Sequence, residues 1–247
     1  MPVWVEAGLW GLLSGSALLV GAAVAWLLPV PRQVVAGVMA FGAGVLISAL
    51  AFDLVDEAEV SGGLGPTALG LSVGAVLYVG ANLVLARRGA RHRKRTRQPT
   101  EAQAPGSGAA IAIGALLDGV PESVVLGLTL LEGGAVSAAV LAAIVISNVP
   151  EGLSSAAGWK RSGRSASYVF GVWGAIAVAS GLSGALGCLL LAGAAAGTLA
   201  VITALAAGAI LAMVADTMIP EAFDEAHLFT GLLCTAGFIL AFTISRW

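Results

Sequence analysis

Two short segments place acid groups inside long apolar runs. The first is Leu117-Asp118-Gly119-Val120-Pro121-Glu122-Ser123, and about thirty residues on comes Ile146-Ser147-Asn148-Val149-Pro150-Glu151-Gly152, with a proline and the following glutamate at the same offset. An ionised carboxylate at the centre of a membrane helix costs roughly 2.5–3.5 kcal/mol even on lenient insertion scales, so such residues are rarely idle. Pro121 cannot donate to the carbonyl of Leu117, nor Pro150 to that of Ile146, which predicts a local opening of each helix where its polar side chains cluster. Asp118 and Glu122 are four apart, as are Ser147 and Glu151, so each pair shares a helical face. If the two helices face one another, the carboxylates of Asp118, Glu122 and Glu151 converge with the Asn148 amide, the Ser147 hydroxyl and freed backbone carbonyls. Three carboxylates in a poorly solvated cleft cannot all ionise without a cation, because desolvation and like charge both oppose it. A divalent cation resolves the conflict.

The elements that must position these groups follow from composition. The chain has 247 residues, 58% of them hydrophobic and only 11% charged, with a mean hydropathy of +0.96. That is far too apolar for a soluble globular domain and predicts an all-α integral membrane protein. A bilayer core needs about 20 apolar residues per helix, and such runs fall near 5–28, 34–56, 65–86, 108–131, 135–158, 166–192, 198–219 and 228–245. Pro29 and Pro31, the stretch Ser61 to Pro66, and Glu132-Gly133-Gly134 are turn signals between them. The net charge of −2 gives no reason to expect a nucleic acid partner, since the basic residues lie in short stretches between apolar runs. Cys188 and Cys234 lie in separate apolar runs and read as packing residues rather than a metal pair or a disulfide framework.

Orientation follows from the basic residues. Alternate loops receive Arg32; then Arg87, Arg88, Arg91, Arg93, Lys94, Arg95 and Arg97; then Lys160, Arg161 and Arg164. The opposite side receives only Arg246. Eleven against one predicts a multi-pass protein of the cell membrane with both termini extracellular and residues 87–106 as a cytoplasmic basic linker. A faint internal echo aligns residues 41–58 with 205–222, sharing Ala43/Ala207, Gly44/Gly208, Ala51/Ala215, Glu57/Glu221 and Ala58/Ala222. These are the second and seventh helices, which cross in opposite directions, as an inverted 3+2+3 repeat about the fourth and fifth requires.

The paired Pro-Glu segments, the eight-helix plan and the basic loop between the third and fourth helices together resemble the ZIP family of divalent-metal transporters, of bacterial type. The family's His-Asn-x-Pro-Glu-Gly is matched by Asp118-Gly119-Val120-Pro121-Glu122-Ser123, and its fifth-helix motif by Ser147-Asn148-Val149-Pro150-Glu151-Gly152. Its sixth-helix Ser-Gly-Leu-Ala-Glu-Pro is matched by Ser180-Gly181-Leu182-Ser183-Gly184-Ala185. Asp118 replaces the family's histidine, Gly119 its asparagine and Gly184 its sixth-helix glutamate. The last two positions help hold a second metal in relatives, so one site is expected here, made of Asp118, Glu122, Ser147, Asn148 and Glu151. The resemblance implies a homodimer and an elevator-like movement of helices one, four, five and six. It makes zinc the first choice of substrate, although oxygen-only ligands also suit Mn²⁺, Fe²⁺ or Cd²⁺. No catalytic cofactor and no enzymatic role are expected.

Deeper acids outside the two motifs suggest a pathway. Asp53 is placed toward the extracellular entrance; Asp216 and Glu221, with Asp224, Glu225 and His227, toward the cytoplasmic exit. Rival readings are a channel or sensor that kept the metal cleft, and an intramembrane serine protease suggested by Gly181-Leu182-Ser183-Gly184. The protease reading lacks an intramembrane histidine to act as base.

Overall fold

A computed structural model describes residues 1–85, 87 and 107–246, with the side chains of all of these except 107–115, 118, 132, 133 and 225. The predicted linker, Arg87 apart, and His92 within it lie outside the described residues. Those described form an all-helical bundle. The rods are α1 (Val3–Leu27), α2 (Arg32–Gly62), α3 (Leu64–Leu85), α4 (Ser107–Gly133), α5 (Ala138–Arg161), α6 (Ala166–Leu191), α7 (Ala196–Met213, prolonged through Ile219–Ala226) and α8 (Phe229–Ser245). Among the described residues six of them, α1, α2, α3, α5, α6 and α7, are long and apolar enough to cross a bilayer, which makes this a membrane-embedded protein. Shorter apolar stretches occupy Gly119–Leu131 of α4 and Phe229–Ser245.

Local chemistry fixes the ends. Gly63, alone between α2 and α3, has φ +80°, a left-handed value that suits a residue without Cβ. Ser137 caps α5 by accepting from the Val140 N–H at 3.3 Å, and Ser165 caps α6 by accepting from Tyr168 N–H at 3.2 Å. α4 and α5 run unbroken through Pro121 and Pro150. The local opening expected from the prolines does not interrupt either helix. Packing on neighbouring helices holds the rest of the turn, as is common for proline within membranes.

Small residues set the packing. α1 crosses α6 in antiparallel fashion: a Cβ on Gly11 would stand 2.7 Å from the Ser180 carbonyl oxygen, and one on Gly15 would stand 2.9 Å from Ala177 Cα. α5 lies along α1, and α4 along α6, while α4 and α5 touch each other only slightly. Outside this group α2 pairs with α8 and α3 with α7. Gly44 seats on the Cys234 carbonyl and Gly237 on that of Phe41; likewise Gly208 seats on the Leu71 carbonyl and Gly74 on that of Leu205. With no hydrophobic drive between helices in lipid, such close backbone approach is what associates them. α2 and α7 each contain a π-helical turn, Leu50–Leu54 and Val214–Met218. The main core, including Met39, Leu46, Leu126, Ile144, Ile210 and Met213, fills the space between α2, α4, α5 and α7.

Candidate functional site

The site is best built from α5. Gly152 seats on the Leu18 carbonyl, and Gly21 of α1 seats on the Val149 carbonyl, so the turn carrying Pro150 lies flush against α1. One turn earlier, Asn148 Nδ2 donates to the Ser14 carbonyl at 3.0 Å. A carbonyl can only accept, so the amide nitrogen must face Ser14, and Oδ1 is left as the outward acceptor. Ser147 Oγ donates back along its own helix to the Ile144 carbonyl at 2.9 Å, keeping its lone pairs for another partner. Its Cα lies beside Gly42 of α2, where a Cβ would come within 3.3 Å. Ser147, Asn148 and Glu151 are all buried, Glu151 at 7% exposure.

The α4 segment docks on α6, close to where α6 crosses α1. A Cβ on Gly119 would stand 3.2 Å from Ser180 Oγ, and Gly184 packs against the carbonyls of Ala7 and Ser123, at 2.8 and 3.2 Å on the same measure. Ser123 Oγ donates to the Gly119 carbonyl at 2.8 Å. Glu122, one residue beyond Pro121, is 2% exposed. The side chain of Asp118 lies outside the described residues, so the five-residue set is described for Glu122, Ser147, Asn148 and Glu151. Among the described residues no three His, Cys, Asp or Glu side chains gather into a metal-binding group. Glu122 and Glu151 are each buried, as are Asn148 and Ser147, and all four carry oxygens of the hard kind suited to divalent cations.

The pathway residues are spread out. Asp53 sits in the π turn of α2, half-buried, where its Oδ1 accepts from Ser245 Oγ of α8 at 2.9 Å. Asp216 occupies the π turn of α7 and is exposed, as is His227, which ends α7 with φ 45° beside the Phe223 ring. Glu221 is different: it is buried and accepts a hydrogen bond from Ser154 Oγ, joining the far end of α7 to α5. Ser183 is half-buried on α6. A cavity of about 10 Å³, lined by apolar side chains of α2, α4, α5 and α7 including Leu50, Val125, Ile144 and Ile210, offers an ion no ligand.

Sequence reading did not single out Ser14 or Ser154. Ser154 carries a usable signal, since Ser147, Glu151 and Ser154 follow the i, i+4, i+7 spacing of one helical face. Ser14 contributes through its carbonyl, which no side-chain pattern marks. No protein-family model matches the chain, and no curated protein matches it either.

Proposed function

We propose that this chain is a divalent transition-metal cation transporter of the ZIP type, carrying metal into the cytoplasm across the cell membrane through a carboxylate site between α4 and α5. The observation that carries this reading is the burial of Glu122 and Glu151, each one residue past an in-helix proline, on segments that dock on the crossing pair α1 and α6. Carboxylates buried this deeply in apolar helices make sense as ligands that exchange protons for metal. Zinc is the first choice by resemblance, with Mn²⁺, Fe²⁺ and Cd²⁺ compatible with an all-oxygen site. Asp118 completes the ligand set, and Asp53, Asp216, Glu221 and His227 line the route. Catalysis forms no part of this reading.

The architecture that goes with it is eight membrane spans in an inverted 3+2+3 repeat with both termini extracellular. Several pairings support the repeat. The two π turns fall at the same place in the aligned segments 41–58 and 205–222. Gly44 and Gly208, aligned in that echo, each seat on a carbonyl of a partner helix, α8 and α3 respectively, and the aligned Phe41 and Leu205 carbonyls receive Gly237 and Gly74. When Pro121 is set on Pro150, the meeting of Asn148 with Ser14 corresponds to that of Gly119 with Ser180, and Gly152 at Leu18 to Ser123 at Gly184. The grouping of α1, α4, α5 and α6, apart from the α2–α8 and α3–α7 pairs, suits an elevator-like carrier, and a homodimer fits the same scheme.

Metal uptake into proteoliposomes loaded with a metal-sensitive dye tests the proposal. Wild-type uptake of Zn²⁺, Mn²⁺, Fe²⁺ or Cd²⁺ is expected to saturate and respond to a pH gradient, while Glu122→Gln and Glu151→Gln reduce it on the order of tenfold or more at equal incorporation. Unchanged uptake in both variants overturns the ligand assignment. Flux that never saturates makes the protein a channel, and binding without flux makes it a sensor.

A further inference from the structure

Asp53, at the mouth of the proposed route, is not alone there. The π turn Leu50–Leu54 sets it against the end of α8, where Ser245 Oγ donates to its Oδ1 at 2.9 Å. Its Oδ2 is buried and has no hydrogen-bond partner among the described residues. Arg246, the residue that follows Ser245, is exposed and rests on aromatic faces. Its guanidinium carbon lies 5.4 Å from the Phe242 ring centre and 5.7 Å from that of Phe52, the residue before Asp53. Those two rings meet each other at 5.0 Å, and Phe238 meets Phe52 at 5.8 Å. The charges of Arg246 and of Asp56, further along α2, both act on the Asp53 carboxylate. Arg246 is also the one basic residue that the loop pattern leaves on its predicted side of the membrane, facing Glu6, Asp53, Asp56, Glu57, Glu59 and Glu132.

A guanidinium bonded bidentately to a carboxylate occupies both oxygens and silences the acid. Here Oδ1 accepts from a hydroxyl and Oδ2 from no described residue, while the guanidinium is held nearby on the negative faces of two rings. The acid keeps its oxygens, but the field around them is weakened. A doubly charged ion feels that positive charge twice as strongly as a singly charged one, because Coulomb energy scales with the product of the charges. We propose that Arg246 is the resident counter-charge of Asp53, which sets how tightly the mouth holds an incoming divalent cation and keeps the acid from becoming a trap. A site on a conduction route has to bind well enough to admit an ion and weakly enough to pass it on. The inference rests on the proposed function, with Asp53 on the side from which metal enters.

The test is Zn²⁺ uptake by right-side-out membrane vesicles at low ionic strength, read as a half-saturating concentration and a maximal rate. Arg246→Gln is expected to lower the half-saturating concentration about fivefold, the order of one unit charge acting through a hydrated mouth on a divalent ion. At about 1 M salt, where the Debye length falls to about 3 Å, the shift disappears. Arg246→Lys, which keeps the charge, stays within about twofold of wild type. Asp53→Asn raises the half-saturating concentration, and Arg246→Gln added to it has no further effect, because Arg246 acts through Asp53. A merely structural role would lower incorporation without dependence on salt or on Asp53. Should Arg246→Gln fail to incorporate, Phe242→Leu removes one of the two rings that hold the guanidinium, with an expected fall of about twofold. An unchanged or higher half-saturating concentration in the folded variant, or the same shift with and without Asp53, overturns the inference and leaves the transporter reading standing. Absence of saturable uptake by the wild type overturns the transporter reading and this inference with it.

Discussion

Asn148 and Ser147 are neighbours on the same helix, yet their hydrogen bonds assign them different duties. Asn148 reaches across to α1 and satisfies the Ser14 carbonyl, whereas among the described residues the Ser147 hydroxyl donates within α5. Asn148→Ala leaves a buried carbonyl without its donor, a loss of about 1–3 kcal/mol, and also removes an oxygen of the proposed ligand set. Ser147→Ala removes a hydroxyl whose loss leaves no cross-helix acceptor unsatisfied. The first substitution is therefore expected to lower both the thermal midpoint in detergent and saturable metal uptake, and the second to lower uptake alone. Equal midpoint losses would show that Asn148 is no clamp. The sequence announces the glutamates because an acid in an apolar run has few cheap explanations. It is silent on Ser14, since the group that matters there is a backbone oxygen.

At the scale of elements, glycine governs how closely the rods approach. A Cβ at Gly44 or Gly208 would overlap a carbonyl of the facing helix, whereas one at Gly80 would meet nothing within 4 Å. Gly44→Val and Gly208→Val are each expected to cost about 1–3 kcal/mol by overpacking, measured as loss of monodisperse protein and a lowered midpoint, with Gly80→Val close to wild type. Equal behaviour of all three would mean that the α2–α8 and α3–α7 contacts do not hold the bundle together. The helical runs were legible because each is a long apolar stretch bounded by Gly, Pro or charge. The π turns were not: one extra residue per turn has no compositional mark, and π turns are often tied to function. Nor did Pro121 and Pro150 reveal that their helices continue, since that depends on the neighbouring rods rather than on the residues themselves.

For the whole molecule, direction is the decisive property, because the proposed import of metal, with Asp53 at the entrance, requires that the turn carrying Lys160, Arg161 and Arg164 face the cytoplasm. The positive-inside bias, eleven basic residues against one, predicts that placement and puts the α6–α7 turn outside. Single cysteines can read it, in a background where Cys188 and Cys234 are replaced by alanine. Ser167→Cys, exposed in the first turn of α6, is expected to react with a membrane-impermeant maleimide only after cells are opened, and Ala195→Cys, exposed just before α7, to react in intact cells. The reverse pattern would turn the route around, making the end with Glu221 and His227 the entrance and Asp53 the exit. Labelling of both cysteines in intact cells would be harder to reconcile with any carrier, since α6 connects the two positions and must then fail to cross the bilayer. The Pro-Glu segments of α4 and α5 dock on α6 and α1, which cross one another, so the proposed metal site and the membrane path of α6 stand or fall together.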